Sequence, residues 1–285
     1  MLLRMASVSP KILRKVPTSR NVSKSSKVRA TRKSKRTSSE HEVYEKAIKQ
    51  KKNDKSCPED FIKVLKGVFK QNGEAKKKDF MQKYMKEKFP VYGLYAPERR
   101  QLQKEFMIEP DDRNEMYEVL KLCWNDDYRE IQYFGIDYAV KFLKIFSGVN
   151  ASEGEESLKL CYFLISTKSW WDTVDLLSSK VVGHLVKTYP NLQPTMDEWC
   201  EDENMWIRRA SILYQLNYNK NTDSEILFRY CKTLANEKDF FIRKALGWAL
   251  RNYGRFQGKI VKNFVTENQD ILSNLTIKEA LKNIK

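Results

Sequence analysis

Glycine and histidine are scarce in this sequence, and both shortages narrow what the chain can be. Only 10 of its 285 residues are glycine, about half of the usual share of roughly 7%. A turn-rich β architecture is therefore disfavoured, and the abundant Leu, Lys, Glu and Ala favour helices. The two histidines, His41 and His184, leave little room for histidine-based acid–base catalysis. The composition predicts an all-α protein.

Patterns that would hold a cofactor, a metal or a membrane anchor are also missing. The sequence contains neither a P-loop nor a G-x-G-x-x-G motif, so no nucleotide cofactor is expected. No apolar run reaches the roughly 18 residues of a membrane span. The five cysteines are scattered, lack a C-x-x-C pair and are odd in number, which argues against a metal site and for a reducing compartment; they are Cys57, Cys123, Cys161, Cys200 and Cys231.

Acidic residues are absent from the N-terminal part of the chain, where positive charge is concentrated. Residues 1–39 contain 12 Lys or Arg and no Asp or Glu. The rest of the chain, residues 40–285, therefore contains 41 of the 53 basic residues and all 37 acidic ones, and its net charge is only +4. The segment also lacks aromatics, so we do not expect it to fold alone. We predict a basic, disordered tail over residues 1–55 and a helical domain over residues 56–285.

The tail permits three interpretations. Its apolar residues near the N-terminus, spaced among Arg and Lys, resemble an amphipathic organelle presequence. The basic run over residues 27–36 is typical of a nuclear address or of an arm that binds phosphates without sequence preference. A merely solvated basic tail is the third possibility. We expect a nuclear location, with the mitochondrion as the alternative.

From about residue 58 the sequence changes to amphipathic helices with clear boundaries. Pro58 begins a helix that ends near Asn72 and Gly73, and Pro97 opens another after Ala96. The segment Thr222–Glu225 reads as a capping box immediately before an apolar run. The breaks between helices are short, which predicts antiparallel neighbours.

An internal repeat runs through the second half of the chain. Trp171, Trp206 and Phe241 begin similar segments at intervals of 35 residues. The second and third copies read W-I-R-R-A and F-I-R-K-A, and a weaker copy begins near Tyr128. Equal spacing of helix pairs predicts a superhelical solenoid of HEAT-like repeats, in which each repeat is buried against its neighbours and the stack presents a concave surface.

The most informative segment is Lys168–Asp175. Ser169 and Asp172 are spaced as in a capping box, which gives Asp172 a structural role. Asp175 has no such role; it follows Trp171 by four residues and shares its helix face. An exposed Asp beside a packing Trp remains open as the plain interpretation. The helical spacing predicts a core stripe of Trp170, Val174, Leu177, Val181 and Leu185.

Cations recur at one position of the repeat. Arg208 and Arg209 lie in one copy, and Arg243 and Lys244 lie in the next. A ladder of cations on equivalent helices would follow the phosphates of a nucleic acid. A solvated charged face explains each of them equally well, and the pattern leaves the two interpretations open.

Four segments of this chain resemble the AlkD family of alkylpurine DNA glycosylases. They are Lys83–Leu102, with Y-G-L-Y-A-P-E-R-R-Q-L; Lys168–Asp175, with K-S-W-W-D-T-V-D; Trp206–Tyr218, with W-I-R-R-A-S-I-L-Y-Q-L-N-Y; and Phe240–Tyr253, with F-F-I-R-K-A-L-G-W-A-L-R-N-Y. The resemblance runs in order from about residue 58 to the C-terminus and leaves out the tail. It implies a solenoid whose basic concave face cradles duplex DNA. Solenoids of this size are commonly monomeric, so we expect a monomer, and we expect no cofactor.

The resemblance also implies an activity and the residues that serve it. The activity is hydrolysis of the N-glycosidic bond of cationic N3- or N7-alkylated purines in duplex DNA, without lyase action. Asp175 matches the catalytic aspartate, Trp171 and Trp248 match aromatic residues around the sugar and backbone of the lesion, and Arg209 matches a DNA-contacting arginine. Further DNA contacts are implied at Tyr84 and Arg251.

Two alternatives use the same residues differently. A HEAT-like protein that binds damaged or distorted duplex DNA without catalysis keeps the arginines and the tail but gives Asp175 no role. A HEAT-like scaffold for an acidic peptide or protein predicts no preference for DNA and leaves the spacing of Trp171 and Asp175 unexplained.

Overall fold

A computed structural model describes residues 57–284, and within that range every regular element is a helix. The predicted all-α class is confirmed. The predicted tail lies outside the described residues, as does the boundary placed after residue 55. None of the helices in the described range is long and apolar enough to cross a membrane.

The helices follow one another with short connections. They are α1 Pro58–Asn72, α2 Ala75–Tyr84, α3 Ala96–Leu102, α4 Arg113–Asn125, α5 Arg129–Lys141, α6 Leu143–Ser147, α7 Ala151–Ser166, α8 Trp171–Leu176, α9 Gly183–Thr188, α10 Gln193–Cys200, α11 Met205–Leu213, α12 Ser224–Thr233, α13 Phe240–Gly254, α14 Gly258–Glu267 and α15 Asn274–Ala280. A π-helical segment, Leu177–Val182, joins α8 to α9. Short 3₁₀ turns follow α3 and α11 at Gln103–Phe106 and Tyr214–Asn217.

Helix boundaries agree with the local sequence signals at most positions. Helix α1 begins at Pro58 and ends at Asn72, as predicted, and α3 begins at Ala96, one residue before the predicted start at Pro97. At α12 the cap is Asp223, whose carboxylate accepts a hydrogen bond from the Ile226 backbone N–H at 3.1 Å. The box predicted to start at Thr222 is therefore wrong by one residue, because the ionised Asp is the better acceptor for the free N–H groups.

Successive repeats pack through one row of helices. Helix α5 contacts α8, α8 contacts α11, α11 contacts α13, and α13 packs along α15. Helices α4 and α10 pair with the members of this row that follow them in sequence, α5 and α11. This is the predicted helical repeat, in which each unit is buried against the next.

The core runs the length of the row and includes the stripe predicted for α8 and its continuation. Val174, Leu177, Val181 and Leu185 are fully buried. Trp170, the fifth member of the predicted stripe, is only half-buried and packs against other aromatic rings instead. The core therefore fixes one side of α8 and leaves the side carrying Trp171 and Asp175 toward the neighbouring helices.

Candidate active site

Asp175 is bound on both carboxylate oxygens by an arginine from the next repeat. Arg209 of α11 donates from Nε to Oδ1 at 2.7 Å and from Nη2 to Oδ2 at 3.0 Å. Its Nη1 donates to the Phe241 carbonyl oxygen at the start of α13. One guanidinium thus links three consecutive helices of the row. The interpretation of Asp175 as an exposed surface residue is wrong, because its side chain is only 14% exposed.

The environment of Asp175 holds a negative charge that water solvates poorly. Burial raises the pKa of the Asp175 carboxyl, the Arg209 ion pair opposes that rise, and the nearby charge of Asp172 adds to it. A fixed charge in a partly dry site interacts strongly with a charge that develops beside it. Asp175 is therefore suited to stabilise a cation, and its raised pKa also makes it a better proton acceptor.

An aromatic pair adjoins this carboxylate. Trp171, one helical turn before Asp175 on α8, meets Tyr84 of α2 edge to face, with ring centroids 5.6 Å apart. Tyr84 is 39% exposed, and burial of the remainder, together with the charge of Asp172, raises the pKa of its phenol. The structure therefore brings together Tyr84 and Trp171 from segments far apart in sequence, and Trp171 lies one helical turn before Asp175 on α8.

Trp248 lies on α13, the helix that receives the Arg209 hydrogen bond, about two turns beyond that contact. It is half-buried and packs partly against the core. Its predicted role beside a lesion stays a prediction.

The other predicted DNA contacts have partners within the protein. Arg208 donates to the carbonyl oxygens of Asp202 and Glu203 at 2.6 and 2.9 Å and pairs with Glu237 at 2.8 Å. Arg243 is half-buried, with its Nε 3.4 Å from the Asp239 carbonyl oxygen. These contacts use Nε and Nη1 of Arg208, and its predicted contact to a phosphate stays a prediction.

Glu279 of α15 accepts both remaining cations. Lys244 pairs with it at 2.6 Å, and Arg251, which is 8% exposed, donates to its other carboxylate oxygen. Lys244 and Arg251 therefore have a structural role, because their ion pairs with Glu279 join α13 to α15. Their predicted contacts to DNA stay predictions.

The predicted capping box at the start of α8 is wrong. Trp170 occupies the cap position without a side-chain hydrogen bond, and the Ser169 hydroxyl donates to the Ile165 carbonyl oxygen at 2.6 Å. Asp172 instead accepts from Arg129 of α5 at 2.9 and 2.5 Å and from the Tyr133 hydroxyl at 2.5 Å. A buried guanidinium binds a carboxylate more strongly than a backbone N–H does, and it wins this competition.

The repeat of aromatic residues is offset by one position in its first copy. Trp206 and Phe241 pack together with ring centroids 5.1 Å apart, and the tryptophan that joins them is Trp170, at 5.6 and 5.2 Å. Trp171, which the 35-residue spacing aligned with them, turns to Tyr84 instead. The Lys88 ammonium lies 5.0 Å from the centre of the Trp170 ring.

Arg129 and Tyr133 are site neighbours that the sequence did not single out. Arg129 is fully buried, and its only sequence signal was its place in the weak repeat copy that begins near Tyr128. An arginine on a helix of otherwise buried residues needs a carboxylate partner. That requirement predicts a carboxylate partner for Arg129 but does not identify Asp172, which lies 43 residues further along the chain.

Comparison with known proteins identifies a family for this chain and solved structures that resemble it. The family model described as DNA alkylation repair enzyme matches residues 65–284. A solved structure of a predicted DNA alkylation repair enzyme from Enterococcus faecalis is 27% identical, with a TM-score of 0.66, and the match covers 74% of this chain and 96% of that one. A search of curated proteins finds no match.

Two further solved structures, both from Streptococcus mutans, are more distant. AlkD2 is 19% identical with a TM-score of 0.48, and the match covers 66% of this chain and 97% of that one. The protein smu.31 is 19% identical with a TM-score of 0.49, and the match covers 76% of this chain and all 100% of that one.

Proposed function

The chain belongs to the family of DNA alkylation repair enzymes, and on that premise we propose that it is a DNA glycosylase. Its substrates are cationic N3- or N7-alkylated purines in duplex DNA. The observation that carries the proposal is the Asp175 carboxylate, which accepts hydrogen bonds from Arg209 at 2.7 and 3.0 Å. It lies one helical turn after Trp171, which packs against Tyr84.

The chemistry requires little beyond these groups. An alkylated purine carries a positive charge, so it leaves as a neutral base when the electrons of the C1′–N bond move onto it, and no general acid is needed. The deoxyribose becomes an oxocarbenium-like cation, which Asp175 stabilises. Water then adds to C1′, and its proton passes to Asp175 or to solvent.

The aromatic side chains supply a second attraction for the cationic sugar. The ring face of an indole or phenol attracts a nearby cation by about 0.5–2 kcal/mol, and Trp171 and Tyr84 offer two such rings beside the carboxylate. Because the cationic base is already a good leaving group, the reaction demands no lysine as a covalent nucleophile. We therefore propose a monofunctional glycosylase without lyase activity, acting as a monomer.

A base-release assay tests the proposal directly. Incubation with duplex DNA containing N7-methylguanine is expected to release the free base. Asp175→Asn is expected to lower the single-turnover release rate by about 10² to 10³, because the stabilising charge is lost. Binding to the same duplex is expected to be unchanged or tighter, because an anion near the phosphates has been removed.

The matched control is Asp197→Asn. Asp197 also pairs with an arginine, Arg229 at 2.8 Å, but on the exposed side of α10. This variant is expected to release base at the wild-type rate. Wild-type protein that binds the lesion duplex and releases nothing would favour the non-catalytic DNA-binding alternative, and no preference for DNA would favour the scaffold.

A further inference from the structure

The start of α5 is tied to the start of α8 by a buried arginine. The Arg129 guanidinium, which is 0% exposed, binds both oxygens of Asp172 at 2.9 and 2.5 Å. It also donates to the Lys168 carbonyl oxygen and to the Thr173 hydroxyl, both at 2.8 Å. Arg129 thus contacts the loop before α8 and the first turn of α8 together.

The first two turns of α8 carry the aromatic and acidic groups of the proposed site. Trp171 precedes Asp172 directly, and Asp175 follows it by three residues, so an anchor at Asp172 limits how far α8 can shift or rotate. The Tyr133 hydroxyl adds a second bond to Asp172 at 2.5 Å. We propose that Arg129 is a positioning residue of the active site, which holds Trp171 and Asp175 in place through Asp172. The inference rests on the proposed function.

The same end of α5 also holds the opposite side of the site. The Arg129 backbone N–H donates to the Pro90 carbonyl oxygen at 3.0 Å, and its guanidinium stacks over the Phe89 ring at 4.0 Å. The adjacent Glu130 is fully buried and accepts the backbone N–H groups of residues 92, 93 and 94 at 2.9 to 3.2 Å. This segment follows α2, whose last residue, Tyr84, meets Trp171.

Arg129 also sets the electrostatics of Asp175 without touching it. The charged groups near Asp175 are Arg209 from α11 and Asp172 from its own helix. Asp172 in turn contacts Arg129 and Tyr133 from α5 and lies near Tyr84 from α2. The Asp172 charge raises the pKa of Asp175, and Arg129 compensates that charge. Loss of the guanidinium is therefore expected to raise the pKa of Asp175 further, whereas loss of the Asp172 charge is expected to lower it.

These opposite shifts give the test. Base release needs ionised Asp175, so activity falls as the pH drops through its pKa. Arg129→Gln is expected to slow single-turnover release of N7-methylguanine by about 10- to 10²-fold. Its effect on the dissociation constant for the duplex is expected to be smaller. The acid limb of its pH profile is expected to move to higher pH. Arg129→Lys should recover part of both, and Asp172→Asn should move the acid limb to lower pH.

A remote arginine provides the control. Arg113 pairs with Glu153 at 3.0 Å and with Glu156, away from α8, and Arg113→Gln is expected to keep the wild-type rate and acid limb. A folded Arg129→Gln protein with wild-type rate and acid limb would overturn the proposal, as would an equal effect of Arg113→Gln. If Arg129→Gln does not fold, the Asp172→Asn variant provides the test. An acid limb at the wild-type pH in that variant would contradict the proposal.

A titration that does not need turnover separates this proposal from the proposed function. The carboxyl carbon of Asp175 can be followed by ¹³C NMR as the pH is lowered in the wild type, Arg129→Gln and Asp172→Asn. Shifts of opposite sign support the positioning role even if the wild-type protein releases no base. Identical titrations in all three proteins overturn it, whatever the assay of base release shows.

Discussion

At the scale of single residues, the site depends on how one guanidinium divides its hydrogen bonds. Arg209 uses Nε and Nη2 for Asp175 and Nη1 for the Phe241 carbonyl oxygen. A planar fork can make all three bonds at once, whereas an ammonium group is a point charge that cannot reproduce this geometry. Arg209 therefore both orients the carboxylate and keeps a counter-charge beside it.

Arg209→Lys is expected to separate these two effects. The positive charge stays, but the two-point contact and the bond to α13 are lost, so we expect release of N7-methylguanine to slow by about tenfold or more. Because the ion pair lowers the pKa of Asp175, weakening it moves the acid limb of the pH profile to higher pH. Single-turnover rates measured across pH check both effects.

The matched substitution is Arg229→Lys in the exposed pair with Asp197. Exposed ion pairs contribute little, so its rate and pH profile should match those of the wild type. An Arg209→Lys protein that behaves in the same way would contradict the orienting role.

At the scale of helices, α13 and α15 are held together by a buried charge cluster. Glu279 is 7% exposed at its side chain and receives Lys244 and Arg251. Its burial alone would raise the pKa of this carboxyl, but the hydrogen bonds from Lys244 and Arg251 hold the pKa below its ordinary value. The cluster therefore stabilises the fold at neutral pH, and that contribution is present above the unfolded-state pKa of about 4.3.

Glu279→Gln is expected to lower the free energy of unfolding at pH 7 by up to about 3–5 kcal/mol, because two cations lose their buried partner. In the wild type the contribution disappears as the pH falls through the lowered folded-state pKa, so the difference between the two proteins should shrink below about pH 4. Urea unfolding at several pH values measures it. A difference that stays constant down to pH 3 would contradict the assigned charge pairing.

A second helix-level prediction concerns the close contact behind the site. Gly183, the first residue of α9, has no room for a side chain, because an added Cβ would overlap the Tyr214 carbonyl oxygen. Gly183→Ala is therefore expected to lower the free energy of unfolding by about 1–3 kcal/mol. Gly258→Ala is the control, since its Cβ would meet only the Ile284 side chain at 3.0 Å. Equal stability of the two variants would refute the close contact.

The helices were predictable from the sequence because their signals are local. Pro58 marks one helix start and Pro97 marks another to within one residue, and the apolar spacing from Val174 to Leu185 correctly gave the buried face. The partners across helices were not predictable in the same way. A 35-residue period cannot decide between adjacent tryptophans, so Trp171 was aligned where Trp170 packs, and no local pattern shows that Asp172 meets Arg129, 43 residues earlier.

The candidate site divides along the same line. The spacing of Trp171 and Asp175 on one helix face was visible in the sequence, and the resemblance to a known family supplied Arg209 and Tyr84. The recurring cations, among them Arg208 and Lys244, suggested a ladder for phosphates, but charge along a sequence does not reveal which carboxylates lie opposite it. Their partners, such as Glu237 and Glu279, come from other helices.

At the scale of the whole molecule, the uneven charge makes its own prediction. Residues 1–39 carry 12 basic residues and no acidic ones, whereas the remaining chain has a net charge of only +4. Several cations of the domain are already paired with carboxylates. Contacts between cations and phosphates release counterions, so each one steepens the fall of affinity with salt. We therefore propose that the tail supplies much of the nonspecific affinity for DNA and carries a nuclear address.

Deletion of residues 1–39 is expected to weaken binding to undamaged duplex and to flatten the slope of log affinity against log salt, because phosphate contacts are lost. The single-turnover rate on N7-methylguanine at saturating protein should stay at the wild-type value, since the groups around Asp175 are intact. Fluorescent protein fused to residues 1–39 should accumulate in the nucleus; accumulation in mitochondria would favour the presequence. An unchanged salt slope would show that the domain alone neutralises the phosphates, and loss of base release would place part of the active site in the tail.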